Sequence, residues 1–144
     1  MMTPRTPLRP GVMGPMELIL HDEPTATRRL RASIDEIADE YPLPGNERFE
    51  LKLAATEALT NALKSSGGDP VRIRIVPRPG EIEVEVADRG SFVGADAGSA
   101  REGGRGIPLM LALVDEVHFS TTGTGTRVRV RKRVTRAGEG DATF

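Results

Sequence analysis

Apolar positions recur with two different periods along the chain, and the changes of period mark its elements. Glu17–Leu20 is a short apolar run that predicts a first strand. Leu30, Ile34, Ile37, Ala38 and Tyr41 then keep helical spacing, with Asp22 as the cap candidate and Pro24 in the first turn. Pro42-Leu43-Pro44-Gly45 ends that helix, and Asn46 is placed to cap a second one running to about Ser65, where Gly67-Gly68 stops it. Val71–Val76 alternates Val and Ile with Arg, and Glu81–Val86 alternates Glu with Ile and Val. The Pro77-Arg78-Pro79-Gly80 connection makes the two a hairpin. Gly90 to Gly106 carries no periodicity. Ile107–Val114 reads as a third helix with Pro108 near its start, and Val117–Ser120 with Thr126–Val134 as a second hairpin around Thr122-Gly123-Thr124-Gly125.

The polar half of each strand predicts the pairing. Glu81, Glu83 and Glu85 share one face of their strand, as do Arg72 and Arg74 before it and Arg127, Arg129 and Arg131 after it. Opposite charges directly across a ladder favour one another by roughly 0.2–1 kcal/mol, and like charges repel. An acidic strand between two basic ones satisfies all three. The charged face then points to water, and the Ile/Val face packs under the helices. The fold class is therefore α+β: a two-layer sandwich with a mixed, mostly antiparallel sheet and three helices on one face.

Composition narrows the range of functions. The chain has 144 residues, the size of one domain, with 20 Lys plus Arg against 21 Asp plus Glu, so its net charge is -1. That balance, with aromatics at 3%, argues against a nucleic-acid surface, although 127–133 holds five cationic residues. The plainer reading of those cations is a solvated sheet face that pairs with glutamates and discourages edge association. Zero Cys excludes disulfides and thiolate chemistry, and two His exclude a multi-histidine metal cage. No apolar run approaches the ~20 residues of a membrane span, and residues 1–15 lack the apolar core of a signal peptide, so a cytoplasmic protein is expected. Residues 1–15, with four Pro and two Gly, read as a disordered tail, 16–134 as the domain and 135–144 as a flexible end.

Four segments carry candidate chemistry. Glu57 and Asn61 interrupt a small or apolar stretch of the second helix one turn apart, on one face. Such a pair suits a base or water-positioner and a magnesium ligand, and equally a hydrogen-bonded pair at a helix margin. Asp88-Arg89-Gly90 ends a strand, where an Asp can accept from an exocyclic amine while Gly90 lets backbone approach a planar ring. A turn uses the same residues. Glu102-Gly103-Gly104-Arg105-Gly106 leads into the third helix, where free N–H groups and a positive dipole end suit phosphate oxygens. A Gly-rich hinge in a surface loop reads alike, and the P-loop's Gly-Lys-Ser/Thr is missing. Gly123-Thr124-Gly125-Thr126 is a hairpin turn or brings a Thr hydroxyl to a ligand.

Glu57-x-x-x-Asn61, Asp88-x-Gly90, Gly104-x-Gly106 and Gly125-Thr126 together resemble the N box and the three glycine boxes of the GHKL ATPases, and within them the stress-response branch of the anti-sigma-factor serine-protein kinases. Thr56-Glu57-Ala58-Leu59-Thr60-Asn61-Ala62 resembles that branch's N box. Asp88-Arg89-Gly90-Ser91-Phe92 resembles its variant first glycine box, with Ser-Phe in place of the second Gly. Glu102–Ile107 followed by Leu109-Met110…Val114-Asp115-Glu116-Val117 resembles its second box and helix. Four boxes in order, over about Glu17–Val134, agree with the fold read above.

The resemblance implies a Bergerat-type sandwich that binds ATP with Mg²⁺. Asp88 would hold the adenine amino group, with Thr126 supporting it, and Gly90 would pass beneath the ring. Asn61 would ligate Mg²⁺; Gly103, Gly104, Arg105 and Gly106 would embrace the phosphates; Glu57 would be the catalytic residue that orients the attacking hydroxyl. The implied activity is that of an ATP-dependent serine/threonine-protein kinase and anti-sigma factor. It phosphorylates a small anti-anti-sigma (STAS-domain) partner, sequesters a sigma factor, usually works as a homodimer and touches neither DNA nor membrane. An ATP-binding interaction module of the same fold, without turnover, is the alternative. Relatives often carry a His shortly after the Asn, where this chain has Lys64-Ser65-Ser66, so Lys64 stands in for that cation. The lid segment Val93–Arg101 is short and rich in Ala, Gly and Ser. Both departures bear on turnover more than on ATP binding.

Overall fold

The computed structural model describes residues 14–89, 110, 112–122 and 125–133. Their elements run β1 (Met16–Leu20), α1 (Ala26–Glu40), α2 (Gly45–Ser65), β2 (Val71–Arg78), β3 (Glu81–Asp88), β4 (Glu116–Thr122) and β5 (Gly125–Arg133). The five strands form one sheet in the order β1-β2-β3-β5-β4, and all four pairings are antiparallel. The expected mixed sheet is thus wholly antiparallel among the described residues. The acidic strand does lie between the two basic ones: Arg74 faces Glu85 on one side, and Glu81, Glu83 and Glu85 face Arg133, Arg131 and Arg129 on the other.

Both helices cover one face. Leu30, Ile34 and Ile37 of α1, with Leu51, Ala54, Ala58 and Leu59 of α2, bury against Leu20, Ile73, Ile75, Ile82, Val84 and Val130 of the sheet. Burying one such Leu or Ile stabilises the fold by about 1.5–3 kcal/mol. The two helices are also clipped together by Arg48 to Asp39 at 3.1 Å and Lys52 to Asp35 at 3.0 Å, part-exposed pairs of modest worth.

Three helices were expected. The described residues hold two, plus helical backbone at Met110, Ala112 and Leu113 that gives way to a bend at Val114, and 107–109 and Leu111 lie outside them. The helix starts also differ from the expected caps. Thr25, not Asp22, precedes α1, because a turn intervenes in which the Ala26 N–H bonds the Glu23 carbonyl at 3.0 Å. Pro44, not Asn46, precedes α2, and its carbonyl accepts the Arg48 N–H at 2.7 Å. Gly67 and Gly68 do end α2, with φ of 67° and 101°. The first hairpin turns at Pro79-Gly80 alone, with Gly80 at φ 79° and the strand extended to Arg78.

The charged face is less wet than the alternation implies. Glu83 is 2% exposed, lying under Arg78 at 2.7 Å and Arg131 at 3.3 Å, beside buried Val76. Burial pushes its carboxyl up, but the Arg78 and Arg131 hydrogen bonds and charges overcome this and hold it below the usual carboxylate value. Arg131 also meets Glu81 and Glu116, at 3.3 and 2.6 Å, and these carboxylates outweigh its own burial and raise its pKa.

Candidate functional site

The site lies where the C-terminal end of α2 meets the ends of β3 and β5. Asp88 and Thr126 are directly paired across the two strands, on the helix-facing side, and are 7% and 5% exposed. Strand alternation puts them there: Ile82, Val84 and Val86 precede Asp88 on the same face, and Val128 and Val130 follow Thr126. The Ser65 hydroxyl points from α2 to Asp88 Oδ2 at 3.5 Å, a long contact. Thr126 Oγ1 is buried with no hydrogen-bond partner among the described residues. Leaving a hydroxyl this way costs about 1–3 kcal/mol, so the arrangement suits a ligand atom or water that completes it.

Along α2 the other candidates lead away from this corner. Ser65, Asn61 and Glu57 recur at four-residue intervals and so share a face. At 1.5 Å per residue, Asn61 lies ~6 Å and Glu57 ~12 Å back along the helix from Ser65. Asn61 and Glu57 are half-buried, at the margin of the α2 face that packs on the sheet, rather than inside the core. Lys64 is exposed in the last turn. Gly90, Gly103, Gly104, Arg105 and Gly106, with the lid segment Val93–Arg101, lie outside the described residues.

Gly125 is required by its backbone surroundings. A Cβ there would collide with the Asp88 carbonyl oxygen and stand 3.0 Å from the Arg89 Cα. The close approach of β5 to the end of β3 sets Thr126 beside Asp88. Sequence reasoning offered Gly125 as part of a turn or a glycine box but not as this contact, and it missed Ser65 as a partner of Asp88. The four-residue step from Asn61 to Ser65 was the available signal.

Residues 20–132 match the family described as the histidine kinase-like ATPase domain. The chain belongs to that family. Membership implies an ATP-binding domain, and the family's span includes every candidate site residue named above. No curated protein matches the chain. Among solved structures it is similar to the crystal structure of the RsbU and RsbW domains of Rv1364c from Mycobacterium tuberculosis. The identity is 20% and the TM-score 0.68, over 85% of this chain and 33% of that one. The chain thus spans a third of that structure's length, and at this identity the likeness is one of fold. It agrees with the α+β sandwich described here. No helix among the described residues is long and apolar enough to cross a membrane.

Proposed function

We propose that the chain is an ATP-dependent serine/threonine-protein kinase that also acts as an anti-sigma factor. The observation that carries the nucleotide part is the Asp88–Thr126 pair, a buried carboxylate beside a buried hydroxyl that has no partner among the described residues, at the end of a helix that also bears Asn61 and Glu57. A carboxylate accepts the exocyclic amine of adenine, and a hydroxyl can bridge to the ring through water. The C-terminal end of α2 is then the adenine end of the site, and Asn61 and Glu57 follow in the direction of the phosphates.

No cluster of three acidic or histidine side chains exists among the described residues to hold a metal alone. The Asn61 carbonyl oxygen fits a Mg²⁺ that takes its other ligands from phosphate and water, the usual habit of that ion. Bound Mg·ATP supplies the phosphoryl group and shields its charge. Glu57 orients the acceptor hydroxyl and accepts its proton, while Lys64 adds positive charge near Asn61 and Gly103–Gly106 with Arg105 supply N–H groups and a cation to phosphate. Asp88 and Thr126 position the base and take no part in the transfer.

The acceptor in this reading is a Ser or Thr of a STAS-domain anti-anti-sigma protein, and the sequestered partner a sigma factor. The working unit is a cytoplasmic homodimer of domain 16–134, with 1–15 and 135–144 as tails. The resemblance of the four boxes supports the acceptor, the sequestered partner and the dimer, and the Pro- and Gly-rich composition supports the tails. The test is incubation with Mg·ATP and candidate partners encoded nearby, following phosphoserine or phosphothreonine on the partner. Transfer to one of them is the expected result. ATP binding with no transfer to any partner ends the kinase reading and leaves the ATP-binding interaction module.

A further inference from the structure

The outer face of the sheet is laid out in rows that cross the strands. In three rows β3 contributes an acid: Glu81 faces Arg78 and Arg133, Glu83 faces Val76 and Arg131, and Glu85 faces Arg74 and Arg129. The next row crosses all five strands as Ile19, Arg72, Ala87, Arg127 and Ser120. Here the acid is absent. Ala87 occupies its place, while both flanking strands keep their arginine.

The two arginines straddle a gap. Neighbouring strands are ~4.8 Å apart, so Arg72 and Arg127 rise ~10 Å from each other with a methyl group between them. A cleft of about 310 Å³ opens over this row, lined by all five of its residues, by Arg89 and Pro70, and at the strand ends by Asp88, Gly125 and Thr126. At ~30 Å³ per water in the liquid, that is space for about ten waters, more than a phosphate group displaces. Arg127 Nε reaches back to Glu85 at 2.9 Å. Arg72 and Arg89 have no carboxylate within ion-pair distance among the described residues, and both are exposed. Three arginines, one of them paired with Glu85, stand against the Asp88 carboxylate of the same lining and leave one positive charge in excess, and the Ser120 hydroxyl adds a donor or acceptor.

We propose that this cleft is a second anion site, on the sheet face opposite the helices, that takes a phosphomonoester dianion. The dianion supplies the charge that Ala87 does not, and planar guanidinium forks match phosphate oxygens pairwise. Asp88, Gly125 and Thr126 also line the cleft, so it adjoins the nucleotide site at the ends of β3 and β5, although no residue of the charged row lies on α2.

The test is a titration of the ¹⁵N-labelled full chain with inorganic phosphate, read at the amides of Ala87, Ser120 and Arg127. Saturable shifts at these three are expected. Arg72→Gln weakens the binding about ten- to a hundredfold, as for one lost charge-assisted hydrogen bond. Ala87→Glu restores the acid of the row, so it abolishes the shifts while its melting temperature matches or exceeds that of the wild type. Loss of fold cannot imitate that combination. Phosphoserine displacing phosphate at lower concentration assigns the dianion to a phosphorylated side chain, and preference for inorganic phosphate assigns it to a free oxyanion. Wild type without saturable shifts at these amides overturns the proposal. So do shifts that persist in both variants, or an Ala87→Glu variant that melts below the wild type.

Discussion

Glu83 and Thr126 are both polar and both buried on the β3–β5 ribbon, at 2% and 5% exposure, but their surroundings are opposite. Glu83 lies on the outer face with two arginines bonded to it, and those arginines reach further carboxylates in turn. Thr126 lies on the inner face, beside Asp88, with a hydroxyl that has no described partner. A polar group that is satisfied within the chain contributes to stability. One that is left short contributes to binding, because a ligand gains what folding left unmade. Substitutions on the two sides should therefore separate these quantities.

The widest separation is expected at the far end of the inner site. Glu57→Ala should lower phosphoryl transfer 10²–10⁴-fold, the usual share of general-base assistance, while ATP affinity stays within a few fold. A partner-phosphorylation time course beside an equilibrium nucleotide titration reads both, and equal losses in the two would place Glu57 in binding instead. Asp88→Asn comes next. Removing one charge-assisted hydrogen bond costs ~1.5–3 kcal/mol, ten- to a hundredfold in ATP affinity, and a ligand-induced rise in melting temperature that survives the change unaltered would remove Asp88 from the site.

On the outer face, Glu83→Gln should destabilise the fold by ~1–3 kcal/mol at pH 7 with nucleotide affinity unchanged, as measured by denaturant unfolding. Because the folded-state pKa of Glu83 lies below its ordinary value of 4.5, its stabilisation is fully present above pH 4.5 and is lost as pH falls through the folded value. The wild type and Glu83→Gln should accordingly converge on acidification. A constant difference from pH 7 to pH 3 would contradict the ion-pair account. The smallest stability effect is expected at Thr126→Val, neutral or stabilising by up to ~1 kcal/mol, with ATP affinity reduced about two- to tenfold. Marked destabilisation there would mean that the hydroxyl has a structural partner after all.

The contrast was half legible in the sequence. Alternating Glu and Arg on three strands is a long-range signal, because charges that must face each other fix both neighbours of β3, and the register agrees with it. Alternation assigns a face but not a depth. It could not tell Glu83, beside Val76 at the centre of the sheet, from Glu85, which is less buried. The helix starts failed for a local reason: Asp22 and Asn46 have the right side chains, but a turn before α1 and the extended Pro44 before α2 decide where the first helical bond forms. Of the four short boxes, Asp88 and Thr126 come together and Asn61 lies on the α2 face that leads to them, while Gly90 and Gly103–Gly106 lie outside the described residues. That Thr126 is buried without a partner among the described residues depends on how closely β5 approaches β3, which no pattern of residue types records.

The close approach at Gly125 has a consequence for any mutational scan of this protein. Every base change that alters a glycine codon adds a side chain or ends the chain, so position 125 has no mild missense variant. Each would force β5 off the end of β3 and carry Thr126 away from Asp88, and nucleotide affinity would fall. Such a scan would score Gly125 among the strongest binding positions, although a glycine offers no side chain to a ligand. Its sensitivity would report a spacing between two backbones, and a map that ranks residues by loss of function would need that position reclassified before it was read as chemistry.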